Sequence, residues 1–350
     1  MMRLLRRRGD GVIAEADRLA GSGRALEAVD LLTRANREKP SEEAEARLVK
    51  IRNQAFAELG DPGSDFVCPK PVEPGDDPAD DGLPAVAASE LSAPVIRGAF
   101  LTHGCLIVRG LVAPSRAAEL RAGIDHVFEG RDAHLDDGAP TESSSPWYRP
   151  FEPEPEYVNS VTLGRGFVGK GSGIWTADSP RLLFLLLSTF EEAGLREIVT
   201  EYLGERPALS VNKGTLRRAT PKVGTEWWHQ DGAFLGAGIR SLNIWLSLNA
   251  SGVDAPGLEV VPKRIEHIVD AGTEGADFHW SVGDAVVERE SGGVLSRPVF
   301  QPGDAMLFDH LFLHRTGTTP DMTKTRYATE TWFFAPSAYP DPQEQVPLAF

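Results

Sequence analysis

The sequence predicts a mainly β protein with flanking helices, built on a double-stranded β-helix of the jelly-roll kind, with a small helical segment at its N-terminal end. Three observations carry this. Short strand-like runs separated by Gly and Pro turns fill the chain between residues 209 and 334. In the clearest of them, residues 241–248, Leu242, Ile244, Leu246 and Leu248 take one face while Ser241, Asn243, Trp245 and Ser247 take the other. Strict alternation marks a strand with one apolar side, and a polar face carrying a Trp suits a barrel wall that looks into a cavity. Apolar residues at helical spacing are confined to the first 60 residues and to short stretches before residue 204.

Residues 1–60 read as helices. Ile13, Ala16, Leu19 and Ala20 recur at helical spacing, Gly21-Ser22-Gly23 interrupts, and Ala25, Ala28, Leu31, Leu32 and Ala35 continue until Pro40. Ser41 is placed as an N-cap, with Glu42 and Glu43 in the first turn, where negative charge suits the helix dipole. The stretch 23–40 resembles half of a tetratricopeptide repeat. A lone repeat makes no array, so the segment is either a hairpin packed on the main domain or a module that docks a protein partner. Residues 61–91 are rich in Pro, Gly and Asp, including Asp76, Asp77, Asp80 and Asp81, and read as a linker. Few contacts are expected across such a boundary, which would make residues 1–60 dispensable for chemistry.

The main domain is expected over residues 92–336. A helix at 94–103 leads to a strand at 105–109, and Pro114 opens a helix with Leu120, Ile124 and Phe128 on one face. Residues 131–157 have no periodicity and read as a long loop. Trp147, Tyr148 and Arg149, with Phe151, are candidates for a substrate lid there, or for a surface loop pinned by aromatics. Helices are expected at 179–190 and 195–203, followed by strands at 209–213, 241–248, 258–261 and 326–334. Gly283-Asp284 and Ser291-Gly292-Gly293 are placed as hairpin turns. Residues 337–350, with three prolines, read as an extended C-terminal tail.

Bulk properties narrow the function. A formal net charge of -15 opposes non-specific binding to nucleic acid or to anionic membrane surfaces. Two cysteines, Cys68 and Cys105, give no disulfide framework and suit a reducing cytoplasm. The basic start, residues 3–8, runs into Gly9-Asp10-Gly11 and not into an apolar core, so it does not read as a secretory signal. A cytoplasmic location is therefore expected, with oligomeric state left open.

The chemistry centres on Trp227-Trp228-His229-Gln230-Asp231-Gly232. On a strand, His229 and Asp231 would point to one face. Two candidates for a third ligand follow the Pro302-Gly303-Asp304 turn: His310 and His314. Two His and one carboxylate are the facial triad of non-haem Fe(II) oxygenases, which leaves coordination positions open. Arg326 lies 12 residues beyond His314, in a strand-like run, where a guanidinium fork suits a carboxylate.

Together with the segment 257–262 and the Pro-Gly-Asp turn, these motifs resemble the phytanoyl-CoA dioxygenase family of Fe(II)/2-oxoglutarate-dependent oxygenases, over roughly residues 90–336. The resemblance implies that His229, Asp231 and His314 bind Fe(II). It implies that Arg326, helped by Thr316, holds the distal carboxylate of 2-oxoglutarate, with Trp245 and Asn212 beside that co-substrate. It further implies that dioxygen is consumed and 2-oxoglutarate becomes succinate and CO2 while a small-molecule C–H bond is oxidised. Relatives that halogenate carry a small residue where this chain has Asp231. Residues 263–267 read Lys-Arg-Ile-Glu-His, a departure from the Gly-Ser-His common in the family, which puts any role for His267 in doubt. The substrate is not readable; Trp147, Tyr148, Arg149 and Asn243 are the candidates to touch it. The alternatives are a cupin-like metalloenzyme that does not use 2-oxoglutarate, and a non-catalytic scaffold acting through its N-terminal helices.

Overall fold

The computed structural model describes residues 2–60, 66–75, 82–136, 146–221, 227–342 and 344–350. Among them are ten strands: β1 (Ala85–Ala87), β2 (Cys105–Arg109), β3 (Gly173–Trp175), β4 (Ala208–Ala219), β5 (Ser241–Ser247), β6 (Gly257–Val260), β7 (Ala305–Phe308), β8 (His314–Gly317), β9 (Arg326–Phe334) and β10 (Pro347–Ala349). The large sheet runs β1-β2-β7-β5-β9-β4-β10, with β3 also on β4. The small sheet is β6-β8, widened by single bridges from His229 to His314 and from Val260 to Ser296. Two facing sheets of this kind are the expected double-stranded β-helix.

The helices are α1 (Met2–Gly21), α2 (Ala25–Glu38), α3 (Glu42–Gln54), α4 (Ala93–His103), α5 (Pro114–Asp136), α6 (Val158–Lys170), α7 (Pro180–Glu192), α8 (Leu195–Leu203), α9 (Gly232–Leu235) and α10 (Asp284–Ser291). Ser41 caps α3, accepting from Ala44 N at 3.4 Å. The alternation in β5 sorts its side chains as expected. Leu242, Ile244, Leu246 and Leu248 join the core beneath the helices, together with Phe190, Leu186 and Phe333. Trp245 joins the core between the sheets, with Phe300, Phe308 and Trp332. The Pro302-Gly303-Asp304 turn is held on both sides. Gly303 has φ +97, and a Cβ there would lie 2.0 Å from Val112 O, so only glycine fits. Asp304 accepts from Gly110 N at 2.8 Å and Gln301 N at 2.9 Å.

Several elements differ from expectation. Helix α5 runs on to Asp136, and α6 occupies residues assigned to no element. Residues 284–291, expected between two hairpin turns, form α10 because Gly283 starts a helix and Gly292, at φ +64, ends it. The expected linker ends in β1, which pairs in parallel with β2. Earlier in that linker Val72 N donates to Pro94 O at 2.9 Å, and Thr102 donates to Glu73 at 2.9 Å. The acidic cluster at Asp76, Asp77, Asp80 and Asp81 lies outside the described residues.

The N-terminal helices are joined to the rest of the domain by polar bonds, the one from Arg52 buried. Arg52 Nη1 donates to Ala349 O at 2.7 Å, Asn53 to Pro347 O at 2.8 Å, and Arg181 to Glu45 at 3.1 Å. Ala349 itself packs in the core of α1–α3. The dispensability expected for residues 1–60 therefore reverses: deleting them uncovers β10 and should give an insoluble or strongly destabilised product. Arg52→Ala alone should lower the unfolding free energy by about 1.5–3 kcal/mol, the range for a hydrogen bond to a charged group, measured by urea denaturation.

Candidate metal centre

His229 and His314 are placed by one antiparallel bridge. Each backbone N–H donates to the other residue's carbonyl, at 3.0 and 3.1 Å, and the rings lie 4.4 Å apart. The two imidazoles are oriented alike. Nδ1 of His229 donates to Trp227 O at 2.9 Å and Nδ1 of His314 to Phe312 O at 3.0 Å. This leaves both Nε2 atoms as acceptors, and both lie 3.9 Å from Asp231 Oδ2. A backbone partner on the far nitrogen is how proteins fix ligand imidazoles.

Asp231 reaches this point by a route the i, i+2 argument did not foresee. It is not on a strand; it has φ -63 and ψ -24 and stands at the first position before the one-turn helix α9, with no capping bond from its side chain. Gln230, fully buried between the two, makes the turn possible. Its amide donates to His267 O at 3.0 Å and Leu311 O at 2.5 Å, and its oxygen accepts from Val269 N at 2.8 Å. The His267 side chain has no part in this; only its carbonyl is used. The ligand atoms of His229, Asp231 and His314 all lie within 4.8 Å of one another, and they are the one such group among the described residues. His310 sits apart from them in the turn after β7. Its Nδ1 pairs with Ser241 Oγ at 3.0 Å and its carbonyl accepts from Gly232 N at 2.8 Å.

The electrostatics favour a cation. Burial raises the Asp231 carboxyl, but Lys213, His229 and His314 outweigh it and hold the group below its ordinary range. Lys213 Nζ donates to Asp231 Oδ1 at 3.3 Å, leaving Oδ2 for the shared point. Burial, aided by His229, pushes His314 from 6.5 down to about 4, so it is neutral at pH 7. The folded chain thus binds this proton more weakly than the unfolded chain. Without metal, stability should fall as pH drops below 6.5, by about 2 kcal/mol at pH 5. Urea midpoints of metal-free protein at pH 7.5 and 5.0 check this, and His314→Gln should flatten the difference.

Whereas His314 opens β8 in the small sheet, Arg326 opens β9 in the large one. Its side chain spans the gap between the sheets, donating to Thr316 Oγ1 of β8 at 3.2 Å and Gly257 O of β6 at 3.4 Å. Trp245 and Asn243 also face the interior. Trp245 Nε1 and Asn243 Oδ1 are buried without a hydrogen-bond partner among the described residues. An interior donor left open in this way fits an incoming carboxylate.

Four other assignments are corrected by position. Asn212 accepts from Val346 N at 3.1 Å, so it pins the C-terminal tail and does not face a co-substrate. Its neighbour Lys213 is the residue that enters the site. The cause is a bulge: between Leu209 and Gly214 the register of β4 against β9 shifts, so alternation fails there. Trp147, Tyr148 and Arg149 lie on the helical side. Trp147 packs on His126 at 5.1 Å and Tyr148 on His134 at 5.5 Å, both from α5. Arg149 N donates to Asp178 O at 2.8 Å, and the residue lines a shallow cleft with Val49 and Lys50 of α3.

A family model described as Phytanoyl-CoA dioxygenase (PhyH) matches residues 100–324, more than half of the chain. The chain belongs to this family of Fe(II)/2-oxoglutarate-dependent oxygenases and is an enzyme of the dioxygenase class. No curated protein sequence matches it. Among solved structures, AviO1 from Streptomyces viridochromogenes Tue57 is 19% identical, with a TM-score of 0.44, over 69% of this chain and 94% of that one. EctD from S. alaskensis, with 2-oxoglutarate and 5-hydroxyectoine, is 16% identical, with a TM-score of 0.47, over 79% and 86%. EvdO2 from Micromonospora carbonacea var. aurantiaca, complexed with 2-oxoglutarate, is 18% identical, with a TM-score of 0.43, over 71% and 94%. No helix among the described residues is long and apolar enough to cross a membrane.

Proposed function

We propose that the protein hydroxylates, or otherwise oxidises, a C–H bond of a small molecule, with 2-oxoglutarate converted to succinate and CO2. The observation that carries this is the meeting of two Nε2 atoms and one carboxylate oxygen at a single point inside the barrel. Nitrogen and oxygen donors in this set suit Fe(II), and three protein ligands leave positions open. Fe(II), 2-oxoglutarate and dioxygen together supply the oxidising power when bound.

The chain's own residues do the rest. Trp227 and Phe312 carbonyls hold the two imidazoles in one tautomer. Lys213 holds one Asp231 oxygen, so the carboxylate offers the other. Arg326, fixed by Thr316, offers its fork to the far carboxylate of 2-oxoglutarate, and the buried Trp245 N–H offers a further donor. Asn243 remains the candidate on the inner wall for contact with substrate. A carboxylate at residue 231 favours oxygen transfer over halogenation, which needs room for a halide.

Incubation with Fe(II), ascorbate and 2-oxoglutarate, with succinate measured by mass spectrometry, tests this directly. Succinate should form and should depend on both additions. Metal-dependent turnover without 2-oxoglutarate would instead support a cupin-like enzyme, and no turnover of any kind would support a scaffold.

A further inference from the structure

The oxygenase reading above is the starting point. From the surface around His229 we infer that the substrate docks on an aromatic subsite there, and that this subsite takes a flat, largely apolar ring. Of the three ligand residues, His229 is the open one: its side chain is 25% exposed, against 7% for Asp231 and 9% for His314. Approach to the centre therefore runs along the His229 ring. Trp280 stands edge-on to that ring at 5.9 Å, and Phe234 lies nearly parallel to it at 6.4 Å. Trp280 is the hub of the group. It is parallel to Phe278 at 5.2 Å and edge-on to Trp227 at 6.2 Å, Phe234 at 6.0 Å and Phe167 at 6.1 Å.

Phe167 comes from α6, so two distant parts of the chain build one aromatic surface. Phe167 is 55% exposed and Phe278 38%. Large apolar side chains left contiguous and open beside a reactive centre mark a binding surface. Edge-to-face rings accept a further ring in the same geometry.

Aromatic surfaces also take quaternary ammonium ions, but the charges here oppose one. Glu274 and Asp270 are paired with Arg289 at 3.2 and 3.7 Å, while Asp277, accepting from the neutral Trp227 Nε1 at 2.8 Å, keeps its charge at the exposed edge of the group. Lys213 Nζ sits 3.8 Å over the Phe234 ring, so a second cation would meet like charge.

The test is calorimetric titration of the full-length protein with 2-naphthol, decahydro-2-naphthol and phenyltrimethylammonium, alongside succinate release by the unaltered protein. 2-Naphthol should bind most tightly. Trp280→Ala and Phe167→Ala should each weaken it about tenfold, a step of about 1.4 kcal/mol. Leu135→Ala, at an exposed position near the end of α5, should leave it unchanged. Phe167 is exposed enough that its truncation spares the fold. No binding of 2-naphthol, tighter binding of either comparison compound, or unchanged affinity in Phe167→Ala overturns the subsite. Loss of ring selectivity with succinate still released refutes the subsite alone; absence of succinate with selective ring binding refutes the oxygenase reading.

Discussion

Replacing Asp231 by alanine should abolish metal-dependent turnover while the protein stays folded. Among the described residues Asp231 supplies the only carboxylate at the point where His229 and His314 Nε2 meet, and its loss leaves Lys213 buried next to two imidazoles. A cation would then enter against an uncompensated ammonium. Outer-shell changes at metal sites typically cost about 10–100-fold in affinity, and removal of a ligand should exceed that. His314→Ala and His229→Ala should behave alike. Because His310 is paired with Ser241 away from this point, His310→Ala should retain metal. Titration with Co(II), followed by its visible absorption, reads affinity independently of turnover. Metal retained in His314→Ala and lost in His310→Ala would reassign the ligand.

Arg326→Leu should raise the apparent KM for 2-oxoglutarate steeply and change metal affinity little. The remote carboxylate of 2-oxoglutarate would be largely desolvated between the sheets, where an unpaired charge is costly. Removing the hydrogen-bonding partner of a buried charge costs about 2–5 kcal/mol, or roughly 30- to several-thousand-fold in affinity. Monocarboxylic 2-oxo acids should lose far less. Lysine restores the charge but not the fork, so Arg326→Lys should fall between. An unchanged KM in Arg326→Leu would move the role to another interior cation: Lys213, or Arg217, which is paired with Glu330 at 2.9 Å.

The parts of the site legible in the sequence are those on uninterrupted strands. In β5, alternation alone places Trp245 and Asn243 indoors. The Pro-Gly-Asp turn is legible because its glycine has no substitute. What was hidden lies where local pattern yields to tertiary contact. The bulge in β4 exchanges Asn212 for Lys213, and no periodicity announces a bulge. Helix α6 contains Gly164, Gly166 and Gly169, each unfavourable in a helix by about 1 kcal/mol relative to Ala. At least one has a packing reason, since a Cβ on Gly164 would lie 2.8 Å from the Trp175 ring. Asp231 converges with the histidines although it is not on a strand, because buried Gln230 bends the chain between them. Trp147 and Tyr148 were drawn to a lid by their aromaticity, which serves the helical core just as well.

The bond from Arg52 to Ala349 joins residues 297 apart in the chain. During synthesis α3 is complete long before its partner strand exists, so the N-terminal helices must wait with the surface meant for β10 uncovered. At about 5–20 residues per second the interval is on the order of 15–60 s. Closing so long a loop comes late in folding, after local helices and hairpins have formed. The nascent chain thus carries an exposed apolar patch until β10 has been made, and β10 acts as a latch that ends this exposure. A chain ending at residue 346 should accumulate as chaperone-bound or aggregated material even though every ligand residue is present.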